Sequence, residues 1–566
     1  MEHLWAFMAV VEEGMETAPK KEVFVLFADV SKAYDQVWRD GLYLLLYSYG
    51  IRGQMWTLIQ KWLDGACAVT EWNGVRGPEV PLRQGLRQGC VLSPILYCIF
   101  VNAFLGEAPT TPSPPGMKAP LRAMFEQGLQ DIQTSRLAGI QDPGIHTAGV
   151  GRVRSMLYMD DTALVASTLA GLEILLEKYQ RFCTKFRIAL NPKKSAVMRF
   201  SHGTPTPVEI TSGGVTIKTP ELGVYKYLGF WVDSQLKGDV HAKRALAIGR
   251  GKKHTVASIA KRMGEDLAVW YVKAKVVPKM TFGLELVPAW GAALEKKADS
   301  VLGDLLQEAL MVGPITKWWE RSQPWVKRDA LHVEAGILQI SSIVEQRKLG
   351  LANNIASDIT SLAGSLFHAK CHGKGHNNPW LSSAVNLSTS ALGTQSRTMG
   401  AIGHKAKVTM KDNIKKHIWT KQRATNIGNM PLREPDASGR QANTIYMDGM
   451  AARVKDSRSD PTMVEDWKEW VPNFSARVFL RRLRMGSIPG LKANKIKRCS
   501  NTDPVHTMTQ SEKKQWLQCP CGRGNQDAVH FFRECAQADA ARIYRGGAQN
   551  NPSLTNNGRR RPCGMG

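Results

Sequence analysis

The chain has 566 residues, 43% hydrophobic and 22% charged, which is long enough for about three or four packed domains and too apolar for wholesale disorder. Lys and Arg number 75 against 49 Asp and Glu, a formal charge of +26, which points to a polyanion partner, most often nucleic acid; a merely soluble basic protein is the alternative. The ten cysteines fall singly except near the C-terminus, which argues against a disulfide framework and for reduced thiols in an intracellular compartment, and no secretory signal pattern opens the chain.

In chain order, Leu4 to Met15 has the spacing of an amphipathic helix. Glu22 to Ala28 is an apolar, β-prone run ending at Asp29, with a turn starting at Ser31. Trp38 to Trp62 is helical in pattern, with Leu42, Leu45, Leu46 and Tyr49 on one face and Gly50 as a stop. Ala68 to Trp72 and Val75 predict a hairpin turning at Asn73-Gly74, a type I′ signal. Arg-Gln-Gly then occurs twice, at 83–85 and 87–89, and only the second copy runs on into Cys90-Val-Leu-Ser-Pro94. Cys90 to Leu105 carries no charge, but Ser93, Pro94, Asn102 and its short length favour a buried helix over a membrane span. Ala108 to Gly116 is a Pro-rich loop, and Ala170 to Phe186 an amphipathic helix.

Between these, Ser155 to Ser167 places Tyr158-Met-Asp-Asp161 between two apolar strands, Met156–Leu157 and Ala163–Ala166. Adjacent carboxylates at a hairpin tip repel unless a cation sits there, and their hard oxygens suit Mg²⁺, the ion of phosphoryl transfer. A solvated turn is the competing reading, since Asp is a common turn residue. Asp29, at the end of its own buried strand, is placed to join the pair. Near the C-terminus, Cys519, Cys521, His530 and Cys535 are separated by one, eight and four residues, a set that can close a tetrahedral structural zinc site; four unrelated residues are the alternative.

The residues also carry a family resemblance. Phe27-Ala-Asp-Val-Ser-Lys-Ala-Tyr-Asp35 resembles polymerase motif A of reverse transcriptases, Arg87-Gln-Gly-Cys-Val-Leu-Ser-Pro94 is similar to motif B, and Tyr158-Met-Asp-Asp161 to motif C. Their order and wording resemble non-LTR (LINE-type) retrotransposon enzymes more closely than retroviral ones. The resemblance implies an α+β fold: a right-hand palm of antiparallel sheet with packed helices, partial fingers, a helical thumb, a mostly helical C-terminal region and a small zinc element. It divides the chain into partial fingers and palm (1–205), primer-grip hairpin (206–235), thumb (236–300), helical and irregular connection (301–474), basic helix and zinc element (475–540) and a disordered tail (541–566).

It further implies two Mg²⁺ ions, with Mn²⁺ as a substitute, held by Asp29, Asp160 and Asp161 and the carbonyl of Val30, Asp160 being the firmer ligand of the motif C pair. Tyr34 would lie under the sugar and favour deoxynucleotides, against the alternative of ordinary core packing; Gln88 would meet the nascent pair and Gly89 admit it closely. Ile188 to Ser195 resembles motif D, with Lys194 as the positive group near the leaving pyrophosphate, Lys193 as its rival and a solvated surface Lys as the alternative. Tyr225 to Trp231 resembles the motif E primer grip, with Tyr227, Leu228 and Gly229 at the primer end, and Lys243 to Arg262 falls where the thumb tracks phosphates. The Cys-Cys-His-Cys spacing resembles an element near the C-terminus of LINE-type proteins. His368, Cys371, His372 and His376 read as a plain Gly-rich loop, Ile445-Tyr-Met-Asp-Gly449 only hints at a ribonuclease H strand, and Arg481, Arg482 and Arg484 lie on a basic helix.

The function so implied is RNA-directed DNA synthesis by a retrotransposon enzyme, with an RNA template, a DNA primer or target and dNTPs as partners and no membrane. Its setting would be a ribonucleoprotein in nucleus or cytoplasm, with nicking supplied by a separate endonuclease or a missing segment. Because only 28 residues precede Asp29, where the family carries its fingers, an N-terminally truncated copy is expected. The rival readings are a catalytically inactive nucleic-acid-binding remnant and a group II intron-type maturase, the latter disfavoured by the zinc element and the post-thumb pattern.

Overall fold

The computed structural model describes residues 1–18, 22–105, 144–204, 206–288, 290–312, 331–332, 335–372, 380–384, 509 and 511. The described chain falls into two units, the first built from Met1–Arg244, Phe282–Gly291 and the described part of Val344–His417.

At the centre of the first unit is a four-stranded antiparallel sheet. Strand β1 (Glu22–Ala28) lies between β10 (Ala196–Ser201) and β9 (Asp161–Ala166), and β8 (Ser155–Tyr158) flanks β9. The apolar run of β1 does not alternate because both of its faces are covered. Phe24, Leu26 and Ala28 enter a core shared with α2 (Arg39–Ser48), α4 (Ser93–Asn102) and α5 (Leu169–Lys185). On the other face Phe27 meets Phe7 of α1 (Glu2–Thr17), with ring centroids 5.6 Å apart.

Helix α1 departs from the amphipathic expectation. Leu4 through Val11 are all buried, because the sheet covers one side while α12 (Leu362–His372) and β6 (Ile145–Thr147), which pairs with β7 (Gly151–Val153), pack on it as well. Trp5 lies 5.9 Å from Phe367 and 5.6 Å from Trp380. The predicted Gly-rich loop around His368 is, through His372, the helix α12, and His368 Nε2 bonds the Ala356 carbonyl at 3.1 Å; His376 lies outside the described residues.

The 38–62 pattern resolves into α2 and α3 (Gly53–Asp64), broken at Gly50, whose φ is +88°. Beyond α3, β2 (Cys67–Ala68) pairs with β5 (Val80–Pro81) and encloses the hairpin β3 (Glu71–Trp72) and β4 (Val75–Arg76). Asn73 and Gly74 both have positive φ, as a type I′ turn requires. Pro94 opens the uncharged helix α4, and no helix among the described residues is long and apolar enough to cross a membrane. Thr168 caps α5, its hydroxyl accepting from Gly171 N–H at 3.1 Å. Two further hairpins follow, β11 (Glu209–Ser212) with β12 (Val215–Lys218) and β13 (Val224–Tyr227) with β14 (Phe230–Asp233).

The predicted basic stretch at 243–262 is divided between α6 (Asp239–Gly251) and α7 (Lys253–Met263). The described part of the second unit is helical. Within it α7, α8 (Glu265–Tyr271), a π-helical turn at Val272–Val276 and α9 (Val277–Thr281) precede α10 (Ala292–Ala309), which packs on α7, α8 and the π turn. Helix α7 leaves Lys253, His254, Lys261 and Arg262 exposed. Helix α11 (Ile340–Ala356) begins where Ser341 N–H and Oγ both bond Asp299, at 3.1 and 2.8 Å. The Pro-rich loop, the ribonuclease H hint, the basic helix near Arg481, the zinc quartet Cys519, Cys521, His530 and Cys535, and the tail lie outside the described residues.

Candidate active site

Asp29 follows β1 directly and is anchored through its backbone. Its N–H donates to Ser195 Oγ at 3.0 Å, and its carbonyl accepts from Asn191 N–H at 2.8 Å. Ser31 N–H donates to the Ala189 carbonyl, and Val30 forms a bridge to Leu190. The segment read as motif D therefore clamps the end of motif A. The last β1–β9 pair is Ala28 with Thr162, so the next step of the antiparallel register brings Asp29 level with Asp161.

Motif C is a two-residue hairpin in which Tyr158 pairs with Asp161. Asp161 is thus the first residue of β9, and only Met159 and Asp160 form the turn, where the sequence pattern suggested that both carboxylates would lie. Met159 has φ +55°, a costly value for a non-glycine residue and one often kept where geometry matters.

The electrostatics around these carboxylates oppose ionisation at Asp29 and Asp161. Burial raises the Asp161 carboxyl to about 6, with added repulsion from Asp160 and Asp29. Asp29 is also raised, by burial first and by Asp160; Lys194 and a bond from Asn191 pull the other way. Asp29 Oδ2 is buried with no hydrogen-bond partner. A crowded acidic group with an orphaned oxygen fits a hard cation. Among the described residues no three His, Cys, Asp or Glu side chains are gathered tightly enough to hold a metal as they stand; the Asp160 charge nonetheless raises the proton affinity of both Asp29 and Asp161.

Beside this group is a cavity of about 470 Å³ lined by Tyr34, Gln88, Gly89, Cys90, Val91, Ser93 and Pro94. The Tyr34 hydroxyl reaches Met159 Sδ at 3.9 Å, joining the cavity wall to the carboxylate turn. Gln88 Nε2 donates to Asp35 at 3.2 Å, and Ser93 Oγ donates to the Arg87 carbonyl at 2.6 Å. The two Arg-Gln-Gly copies have different surroundings. A Cβ on Gly85 (φ +83°) would meet the Asp35 carbonyl at 2.7 Å, whereas one on Gly89 (φ +79°) would meet nothing within 4 Å. Gly85 packs against motif A, and Gly89 opens to the cavity.

Lys194 is exposed, and its charge reaches Asp29. At the predicted primer grip, Leu228 and Gly229 form the β13–β14 turn with φ of +47° and +85°. Tyr227 does not face outward with them. Its ring is buried against Phe7 and Phe27, each at 5.1 Å, and its hydroxyl bonds His3 Nε2 at 2.9 Å. Phe27 also stacks on Tyr225 at 4.5 Å, and His3 lies 5.2 Å from Tyr158. One aromatic cluster thus ties motif A, motif C and the hairpin to α1.

A residue that sequence reasoning missed is Arg39. It is buried, and its guanidinium donates to the carbonyls of Leu63, Leu82, Gln84 and Gly85 at 2.5–3.2 Å. It holds the loop that leads into motif B. No local signal marks it, since its acceptors lie 24 to 46 residues downstream.

The arrangement agrees with relatedness. Residues 6–232 match the family model described as reverse transcriptase (RNA-dependent DNA polymerase). Over residues 6–232 the chain is similar to reverse transcriptases, and its relatives include polymerases of non-LTR mobile elements. The chain is 23% identical over 239 residues to the RNA-directed DNA polymerase from mobile element jockey of Drosophila melanogaster, covering 41% of this chain and 22% of that protein. It is 23% identical over 292 residues to the probable RNA-directed DNA polymerase from transposon X-element of the same fly, 50% of this chain and 28% of that one. A transposon-derived protein of Caenorhabditis elegans is 26% identical over 208 residues, 36% of this chain and 71% of its own length. The match therefore spans under a third of each of the two fly polymerases. In the matched segment the sheet is the palm, as the family implies, and motifs A, B and C meet around the Tyr34 side chain.

Proposed function

We propose that this chain is an RNA-directed DNA polymerase that extends the 3′-hydroxyl of a DNA primer along an RNA template. The observation that carries this reading is the meeting of Asp29 and Asp161 at one level of the sheet beside the Asp160 turn, with Asp29 Oδ2 buried and unpartnered. Asp29, Asp160 and Asp161 would hold Mg²⁺, which neutralises phosphate charge and lowers the pKa of a bound hydroxyl. The chain's own groups bind and orient. The Tyr34 ring stands where a 2′-hydroxyl would clash, Gln88 is held toward the pairing site by Asp35, and Gly89 leaves room for the nascent pair. Lys194 supplies positive charge on the Asp29 side for the departing pyrophosphate. The Leu228–Gly229 turn supports the primer end, and the exposed cations of α7 follow the backbone phosphates without reading sequence.

The same reading assigns a structural zinc ion to Cys519, Cys521, His530 and Cys535 and an intracellular ribonucleoprotein as the setting, with target nicking supplied by a separate endonuclease or by a further segment of the protein. The test is primer extension by the purified protein on a mixed-sequence RNA with an annealed DNA primer, dNTPs and Mg²⁺. The product is expected to be complementary to the RNA and to fall on the order of a thousand-fold with Asp160→Asn plus Asp161→Asn. Tight, salt-sensitive RNA binding with no extension would instead select the inactive remnant.

A further inference from the structure

Tyr97 does not line the cavity, yet it stands directly behind a residue that does. It projects from α4, the helix that motif B leads into, and is 1% exposed. Its ring stacks on that of Tyr34 at 4.9 Å with an interplanar angle of 20°. Phe100, one turn further along α4, lies 6.4 Å behind it. The backbone of Tyr34 is fixed separately, since Leu86 N–H donates to its carbonyl at 2.8 Å. Its side chain is partly buried against the core, and two of its contacts bear on where the ring points: the stack on Tyr97 and the long hydroxyl contact to Met159 Sδ. Of these the stack is the stronger, because it is broad, buried and offset in the manner that aromatic pairs prefer.

We propose that Tyr97 is a positioning residue for sugar selection: it holds the Tyr34 ring against the cavity, so discrimination between deoxyribo- and ribonucleotides depends on a side chain that touches neither. Without the Tyr97 ring, the two free torsions of Tyr34 let its ring swing aside and admit a 2′-hydroxyl. This inference rests on the reading of Tyr34 as the residue that faces the sugar. Its distinct content is that an aromatic plane at position 97 is required, whereas the Tyr97 hydroxyl is not.

The experiment measures single-nucleotide incorporation of dTTP and of UTP opposite template adenine by the full chain, as the ratio of their kcat/KM values. Tyr97→Phe is expected to keep the parent ratio. Tyr97→Leu is expected to lower it roughly 10-fold through a lower KM for UTP, with kcat for dTTP within a few-fold of the parent. Tyr34→Ala is expected to lower it at least as far, and adding Tyr97→Leu to Tyr34→Ala to change nothing more. A purely structural role would lower kcat for both nucleotides together and leave the ratio alone. If Tyr97→Leu does not fold, as judged by circular dichroism, Tyr97→Met, closer in volume, gives the same readout. A parent ratio in the folded Leu or Met variant, with Tyr34→Ala relaxed, overturns the proposal and leaves the Tyr34 reading standing. A parent ratio in Tyr34→Ala, or no incorporation by the parent protein, overturns both.

Discussion

At the residue scale, the site is governed by charges that disfavour the fold and by glycines that differ only in what surrounds them. Asp161 titrates near 6 because burial and two neighbouring carboxylates oppose its ionisation. Its folded-state pKa is raised, so without a cation its contribution to stability is present at acid pH and is lost as pH rises from the ordinary carboxylate range through about 6. The glycine pair gives a sharper local test. Gly85→Ala would drive a methyl into the Asp35 backbone, and it is expected to lower the melting temperature severely. Gly89→Ala adds only the left-handed strain of a side chain, about 1 kcal/mol, and should melt within a few degrees of the parent while raising KM for dNTPs. Equal melting losses in the two variants would contradict this division. The sequence showed the repetition of Arg-Gln-Gly but not the division of labour, because the Gly85 clash is with a carbonyl 50 residues upstream.

At the element scale, the β13–β14 hairpin is fixed from behind by His241 of α6. Trp231 N–H donates to its Nδ1 at 3.2 Å, so the proton rests on Nε2, which donates to the Phe282 carbonyl at 2.7 Å. The ring also stacks on Phe230 at 4.1 Å. Burial lowers the His241 pKa, an effect only partly opposed by the Phe282 carbonyl. The neutral form is therefore the folded form. Its contribution is fully present above the ordinary histidine value of about 6.5 and is lost as pH falls through the lower folded-state value. His241→Asn should lower the melting temperature at pH 8 and do so much less at pH 5, and a deficit that does not shrink with pH would contradict this account. Elements of this kind were legible where the signal is local: the apolar run of β1, the Asn73-Gly74 turn, the Gly50 stop and the strand–turn–strand of motif C. Helix α1 was misread as amphipathic because part of what buries it comes from α12, some 350 residues later in the chain.

At the scale of the molecule, the first compact unit does not end with the matched domain. Glu13 of α1 and Lys370 of α12 form an ion pair at 3.5 Å with side chains 4% and 2% exposed, and Glu13 also accepts from Ala148 N–H at 2.7 Å. Chain order suggested a connection region there, and the spacing of residues 362–372 gave no sign that they pack on α1. Removing one member of a buried pair strands the other charge. Lys370→Met should therefore cost about 3–5 kcal/mol in chemical denaturation. Glu13→Leu together with Lys370→Met should recover most of that loss, as apolar replacements of buried pairs often do. A single variant as stable as the parent would mean that residues 362–372 are not integral to the unit.

The central claim is that Asp29, Asp160 and Asp161 form one cation-dependent centre, and the most direct measurement is melting temperature with and without Mg²⁺. The parent protein should be stabilised by millimolar Mg²⁺, by RT ln(1 + [Mg²⁺]/Kd). Asp29→Asn should melt higher than the parent without metal, because a repelling charge is gone, and should lose the Mg²⁺ response. A parent that ignores Mg²⁺, or a variant that keeps the full shift, would contradict the account.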